Sequence, residues 1–431
     1  MTLDPSLVDR LNRHGQQQLL RWWDRLSKEG QQRLAADLSR IDFDQIDVLL
    51  KILSAGEVGL ILVAGGSGTR LGFEGPKGTY PIGPVSSASL FQIHAEKIVA
   101  LGRRYGRVLP FYVMTSPENH RATVDFFDAH NRFGLEHVRF FVQGQMPAVD
   151  LTTGRILLAE PDRVALSPDG HGGALKALAS PGPGNTPSCL DDMRERGIRT
   201  LYYFQVDNPL AKIADPAFLG LHRQADAEVS FKVVERLSPD EKMGVVVLAN
   251  GHPQVIEYSD LSPELAARRA PEGHLDLWAG SIAVHLLERS FIERILDGHQ
   301  LPYHRAIKKV PYVDESGAVV QPEKPNGVKF EQFIFDALPQ AERWLIMETD
   351  RAGEFEPLKN AKGPDSPATV HQRMSDLHGN WLEQAGAEVP RRPDGSVAVN
   401  VEISPLFALD AAELKSKIEP GMVVDQPLYL K

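Results

Sequence analysis

Short runs that are apolar at nearly every position recur along the chain at Leu60–Val63, Phe111–Met114, Phe140–Val142 and Leu201–Val206. A strand with one face in water alternates polar and apolar residues. One without that alternation must be covered on both faces, as in a parallel sheet wrapped by helices. Helical stretches at Leu90–Leu101, Ala122–His130 and Ala174–Ala179 separate these runs, so the pattern reads as successive βαβ units and predicts an α/β fold. Residues 229–258 break the rhythm with VSFKVVE, GVVVL and VIEYS, and Asn250-Gly251 supplies a hairpin turn signal. An antiparallel element is therefore expected within or beside the mostly parallel sheet.

The flanks read differently. Residues 1–57 are expected to be helical: Leu19, Trp22, Trp23 and Leu26 share a helical face, and Leu34, Leu38 and the run Ile46–Leu53 continue the pattern. Turn-rich AKGPDSP (361–367) and PRRPDG (390–395) precede an alternation of Val397, Val399, Val401 and Ile403, which predicts a small β-rich appendage. The expected division is a helical region 1–57, a main domain 58–362 and a C-terminal domain 363–431 of the 431 residues. A formal net charge of −10 gives no basic field for nucleic acid or an anionic membrane. No segment approaches the ~18 apolar residues of a membrane span, and the N-terminus lacks a signal-peptide core. Cys189 is the sole cysteine, so no intrachain disulfide forms. A cytoplasmic location is expected.

The most informative stretch is LVAGGSGTRLGFEGPKGTYPIGP, Leu62–Pro84, which starts at the end of an apolar strand. Open α/β sheets bind ligands at that edge. After Ala64, the residues Gly65, Gly66 and Gly68 let backbone N–H groups approach phosphate oxygens, and Thr69 follows. Arg70 adds a planar fork and Lys77 a compact charge. Two commoner phosphate loops are excluded. No lysine fits the G-x-x-x-x-G-K-[ST] frame, and a G-x-G-x-x-G frame from Gly66 ends on Leu71.

The combined string G-G-x-G-T-R-L-G followed by P-K-G resembles the UTP–sugar-1-phosphate uridylyltransferases, especially the eukaryotic-type UDP-N-acetylglucosamine pyrophosphorylases. The resemblance runs from roughly residue 58 to 408 with several separated motifs in the family's order. It implies a large Rossmann-like (GT-A-like) mixed-sheet nucleotidyltransferase domain with small N- and C-terminal appendages. It also implies that UTP and a sugar 1-phosphate are the substrates. Such a reaction needs no general base, because the attacking phosphate oxygen is already ionised. Positioning and charge stabilisation dominate instead, which fits the lack of a convincing nucleophile–base set.

Read alone, Asp207 in VDNP either caps a turn or serves Mg²⁺, which takes one or two carboxylates plus substrate phosphates. The resemblance implies the metal role and contact with the nucleotide phosphates, with Asn208 toward the sugar. It assigns Gln143 and Gly170 to uridine, and Arg70 and Lys77 to the β,γ-phosphates. Glu257 in VIEYS is assigned to sugar hydroxyls. Lys329, expected at a helix start after Asn326-Gly327, is assigned to the nucleotide side. Lys359, in the loop after the strand WLIMET, is assigned to the sugar substrate.

Two positions depart from the N-acetylglucosamine pattern. His171 stands in G-H-G-G where that group carries G-N-G-G, and Ser281 stands in W-A-G-S-I where it carries N-A-G-N-I. Both are sugar-side positions in the family. P-N-G-V-K and E-F-x-P-L-K-N remain closer to the N-acetylglucosamine type, so UDP-N-acetylglucosamine formation is the first expectation. UDP-glucose or broad UDP-sugar formation is the alternative. A catalytically silent UDP-sugar sensor is the remote one, which loss of Arg70, Lys77, Asp207 or the late lysines would mark; all are present.

Overall fold

The structure, a computed structural model, describes residues 5–13, 17–20, 23, 26–40, 52–298 and 301–431. Nine strands build its main sheet: β1 (Val58–Val63), β2 (Phe111–Thr115), β3 (Val138–Val142), β4 (Thr200–Gln205), β5 (Val229–Glu235), β6 (Val245–Ala249), β7 (His252–Ile256), β8 (Ala279–Glu288) and β9 (Trp344–Glu348). β1 is central and parallel to β2 on one edge and β4 on the other, with Leu60 opposite Phe111 and Tyr202. The chain runs outward through β2 to β3, also parallel, and then returns to β4 across β1. The gap between β1 and β4 is therefore the point where strand order reverses.

Coverage on both faces explains the unbroken apolar runs. Along β1, Leu60 and Leu62 face one core with Phe91 and Ile98 of helix Leu90–Tyr105, while Ile61 faces another with Leu175 and Leu178 of helix Gly173–Ala179. The three strand residues are wholly buried. Helix Leu90–Tyr105 is delimited by its own sequence: the Ser89 hydroxyl accepts from Gln92 N–H at 3.1 Å, and Gly106 closes the helix at φ 63°.

The antiparallel element also forms. β6 and β7 pair through Asn250 (φ 54°) and Gly251 (φ 81°), the left-handed pair a two-residue hairpin requires. β8 runs antiparallel to β4 and β5, and its first half takes on β6 through Val245 and Gly280. Between Phe231↔His285 and Val233↔Ser281, β8 spends four residues where β5 spends two. That bulge places Ala283 at φ 55°.

Two expectations change. Lys329 does not start a helix. It lies on the strand Gly327–Glu331, which pairs with His304–Lys308 and Val149–Asp150. Gly327 and Val328 are buried there, and a Cβ on Gly327 would meet Val310 at 2.7 Å. Tertiary pairing with distant segments outweighs the local helical pattern. The helical turn comes later, as the 3₁₀ segment Ile334–Gln340. At the C-terminus, alternation at 397–403 yields only the strand Val401–Ile403, parallel to Leu428–Leu430. The 18-residue helix Pro367–Gln384 makes this segment less β-rich than its sequence suggests. It is fastened to the main domain by Glu402, whose buried carboxylate accepts from Val85 N–H (2.8 Å), Ser86 N–H (2.7 Å) and Ser86 Oγ (2.6 Å). At the N-terminus, Leu7, Leu11 and Leu38 are buried together with Leu19, Leu20 and Leu34 packed on them. Trp22 and most of the run Ile46–Leu53 lie outside the described residues. Among the described residues no helix is long and apolar enough to cross a membrane.

Candidate active site

The glycine run leaves β1 at the strand-order reversal and folds over its carboxyl end. Ala64 N–H still donates to Met114 O (2.8 Å), extending the β1–β2 ladder. The loop then doubles back: Gly68 N–H donates to Gly75 O (3.0 Å) and Lys77 N–H to Gly66 O (3.1 Å). A short turn Thr69–Leu71 sits at its tip with Thr69 and Arg70 exposed. Among the described residues, the N–H groups of Gly65, Gly66 and Ser67 have no protein acceptor. They form an open run of donors, the arrangement that holds phosphate oxygens.

The glycines are not equivalent. A Cβ on Gly65 would lie 2.3 Å from Gln143 Oε1, and one on Gly68 would lie 2.8 Å from Phe73 O. One on Gly66 meets nothing within 4 Å, and the φ of Gly66 lies outside the left-handed region. Backbone blocks a side chain at Gly68, the end of the Gln143 side chain blocks one at Gly65, and nothing blocks one at Gly66.

Gln143 follows β3 and is buried, its N–H donating to Thr115 O (2.9 Å). Beside it lies Asp169, which sequence reasoning did not single out. Its carboxylate is wedged where a Cβ on Gly144 or Gly173 would come within 2.3 and 2.1 Å. Burial pushes this carboxyl above its ordinary value, opposed by a hydrogen bond from Gln143 and the charge of Lys176. Gly170 has φ 85°, and a Cβ there would strike Gln332 O at 2.3 Å. Gly172 N–H donates to that same oxygen at 2.8 Å. Lys329, half-buried, stands on the strand leading into Gln332.

Asp207 lies just past β4. Its Oδ2 is 3.8 Å from Lys77 Nζ, which also donates to Leu358 O at 3.3 Å. Leu358 N–H in turn donates to Asp207 O at 2.8 Å. Lys77 thus joins the phosphate loop to both the β4 end and the segment carrying Lys359. Asn208 does not face the ligand space. It is buried, its Nδ2 donates to Glu354 O (2.8 Å), and its Oδ1 accepts from Glu356 N–H and Leu210 N–H at 3.3 Å each. Its amide braces the chain beside Asp207, because Glu354 O and Glu356 N–H belong to a segment distant in sequence.

A cavity of about 140 Å³ adjoins Asp207 and gathers His171, Glu257, Ser281 and Lys359. Lys359 Nζ is 3.9 Å from Asp365 and lies over the Phe355 ring at 5.8 Å. Burial pushes the Glu257 carboxyl up, opposed by the charges of His304 and Lys359. His171 Nδ1 accepts from Ile334 N–H at 3.2 Å, and its ring lies against Phe333 and Phe335. Burial lowers its pKa to about 4, so at neutral pH the ring is uncharged with its proton on Nε2. Gln205, Lys242, Ala283 and His285 also line the cavity. Nothing in their local sequence marks them: β4 brings Gln205 there, β8 brings Ala283 and His285, and the segment before β6 brings Lys242. Lys329 and Asn208 do not line it.

A metal ion would find no cage of protein ligands: among the described residues no cluster of three or more His, Cys, Asp or Glu could hold an ion. Asp207, half-buried beside the open amides, fits a hard divalent cation that arrives with phosphate and keeps its water. It does not fit one caged by protein ligands alone.

The sequence pattern of the family described as UTP–glucose-1-phosphate uridylyltransferase matches residues 8–379. The chain is 41% identical over 394 residues to the UDP-N-acetylglucosamine pyrophosphorylase of Saccharomyces cerevisiae, covering 88% of this chain and 80% of that protein. It is 39% identical over 402 residues to the human UDP-N-acetylhexosamine pyrophosphorylase-like protein 1, covering 88% and 78%. The crystal structure of the Trypanosoma brucei uridine diphosphate N-acetylglucosamine pyrophosphorylase, in complex with inhibitor, superposes with a TM-score of 0.75 at 27% identity over 98% of both chains.

Proposed function

The chain belongs to the UTP–glucose-1-phosphate uridylyltransferase family, and from that premise we propose that it joins UTP and N-acetylglucosamine 1-phosphate to give UDP-N-acetylglucosamine and pyrophosphate. One observation carries the site assignment: the open amides of Gly65–Ser67, Lys77 and Asp207 meet where strand order reverses, beside a cavity with its own lysines. Two polyanions can be brought together there.

The residues divide the work by position. The amides of Gly65, Gly66 and Ser67, with Arg70 and Lys77, cradle the triphosphate and receive the charge that builds on the departing pyrophosphate. Gln143 and the Gly170 turn present amide groups to the uracil edge. Lys359 holds the sugar phosphate in line with the α-phosphorus. Glu257 accepts from sugar hydroxyls, and His171 and Ser281 border the sugar. Lys329 approaches from the neighbouring small sheet toward the nucleotide side. Mg²⁺, held by Asp207, would act as Lewis acid and template when bound. Calorimetric titration of Mg²⁺ with UTP present should lose its heat in Asp207→Asn, and undiminished binding would contradict that role.

Pyrophosphate release with UTP and Mg²⁺, measured across the 1-phosphates of glucose, galactose, glucosamine, N-acetylglucosamine and N-acetylgalactosamine, tests the reaction. Fastest release with N-acetylglucosamine 1-phosphate is expected. Release with glucose 1-phosphate alone would reject the acceptor, and no release with any sugar would reject the enzyme. A cytoplasmic location fits the use of UTP and the free thiol of buried Cys189; recovery of activity only in a membrane fraction would contradict it.

A further inference from the structure

We propose that His285 is a specificity-determining residue of the acceptor pocket, reading the acetamido group of the sugar together with His171. The inference rests on the uridylyltransferase reading above.

His285 is 2% exposed yet lines the cavity, and its Nδ1 has no hydrogen-bond partner among the described residues. Buried ring nitrogens are nearly always satisfied in folded proteins. That nitrogen is itself fully covered, so no protein partner fixes which ring nitrogen of His285 carries the proton, and the ring meets the cavity through its other edge. The remaining surroundings are apolar or aromatic: the ring lies 5.4 Å from that of Tyr203, its register partner on β4, and 6.3 Å from that of Phe231 on β5. None of these supplies a charge.

The cavity lining divides chemically. Lys242 and Lys359 bring positive charge, suited to the phosphate of the acceptor. His171, Ser281 and His285 bring neutral donors and acceptors. Burial keeps His285 uncharged, with a pKa near 3, as it does His171. A neutral imidazole has one N–H and one bare nitrogen; Ile334 N–H already takes the bare nitrogen of His171, which leaves its Nε2–H to donate, while His285 has no recorded protein partner on Nδ1 among the described residues. A secondary amide likewise offers one carbonyl and one N–H, so the two rings can satisfy both of its polar groups. A hydroxyl at the same carbon lacks the carbonyl and cannot fill the position that oxygen takes. The β8 bulge belongs to the same feature: it frees residues 282–284 from regular pairing with β5 between Ser281 and His285, which both line the pocket.

The test compares kcat/KM for N-acetylglucosamine 1-phosphate and glucose 1-phosphate in the full chain, the wild type beside His285→Phe and His285→Gln. His285→Phe should lower the ratio of the two by about tenfold or more, the scale of losing polar recognition of one substrate group. The KM for UTP should stay unchanged. His285→Gln, which keeps one donor and one acceptor, should recover part of the ratio. Equal losses for both acceptors, or a parallel rise in the KM for UTP, would overturn the proposal. Should His285→Phe fail to fold, the ratio in His285→Gln decides: no change from wild type overturns it. Wild-type inactivity on every sugar phosphate would instead refute the enzyme reading. An active wild type with an unmoved ratio refutes only the role of His285.

Discussion

Replacing Lys77 by Ala removes the side chain that ties the phosphate loop to the β4 end. In the free protein its ammonium sits 3.8 Å from Asp207 and 3.3 Å from Leu358 O. Two unit charges at that separation attract by about 1 kcal/mol in water and by about 4 kcal/mol at an effective dielectric constant of 20. Both side chains keep some solvent access, 19% and 13% exposed, so the lower end applies and the folded state should lose only about 1 kcal/mol. The catalytic loss should be larger. With the triphosphate bound, water leaves the loop and the ammonium faces charge that grows as pyrophosphate departs. Removing one such donor costs ~10²–10³ in turnover, or about 2.7–4 kcal/mol.

The expected outcome is therefore a split: a thermal midpoint close to wild type, and kcat for pyrophosphate release lowered at least ~10²-fold at saturating UTP and sugar phosphate. Lys77→Arg keeps the charge but spreads it over a planar fork, and should fall between the two. Near-normal turnover in Lys77→Ala would refute the argument, because the charge would then be idle. A collapse in stability matching the loss of turnover would refute it differently, by making Lys77 a structural strut.

Further outcomes follow from the same geometry. Gly65→Ala should destabilise the loop, because its Cβ would meet Gln143 Oε1 at 2.3 Å, and the thermal midpoint should drop. Gly66→Ala should raise the midpoint slightly, by the ~0.4–1 kcal/mol that a glycine costs in chain entropy, and raise the KM for UTP; a lowered midpoint, or an unaltered KM, would contradict a ligand-facing role. His94, His171, His285 and His378 have pKa values lowered by burial from 6.5 to about 3, 4, 3 and 4. Below pH 6.5 the unfolded chain takes up protons that the folded chain refuses, so stability falls as pH drops from 6.5 toward 4. Each histidine contributes a slope of about 1.4 kcal/mol per pH unit. Urea midpoints should be clearly lower at pH 5 than at pH 7, and equal midpoints would contradict the buried neutral state.

What the sequence reveals here depends on how local the cause is. The parallel strands are legible because each residue of β1 is buried whichever face it takes, leaving an unbroken apolar run. The β6–β7 hairpin is legible because Asn250 and Gly251 must both adopt positive φ. Lys329 is misread as a helix start because its strand exists through pairing with residues 304–308 and 149–150, which no window around it contains. Asn208 follows Asp207 directly, yet residues 354–356 turn its amide inward. Ala283 carries no mark of the bulge it occupies, since alanine at φ 55° reflects constraint from neighbouring strands and not its own preference.

The glycine run carries two kinds of information at once. Gly68 and Gly78 are glycine for the fold's sake, since added Cβ atoms would meet Phe73 O at 2.8 Å and the Phe91 ring at 2.2 Å. Gly65 belongs with them, but its obstacle is Gln143, itself assigned to the nucleotide, so fold and ligand make one demand there. Gly66 has neither steric obstacle nor positive φ, and glycine at such a position costs roughly 0.4–1 kcal/mol of unfolded-chain entropy relative to alanine. A stability cost with no structural return needs a reason outside the fold. The proposed approach of a phosphate to three unpartnered amides would supply it, because a methyl group there would stand in the space its oxygens would take.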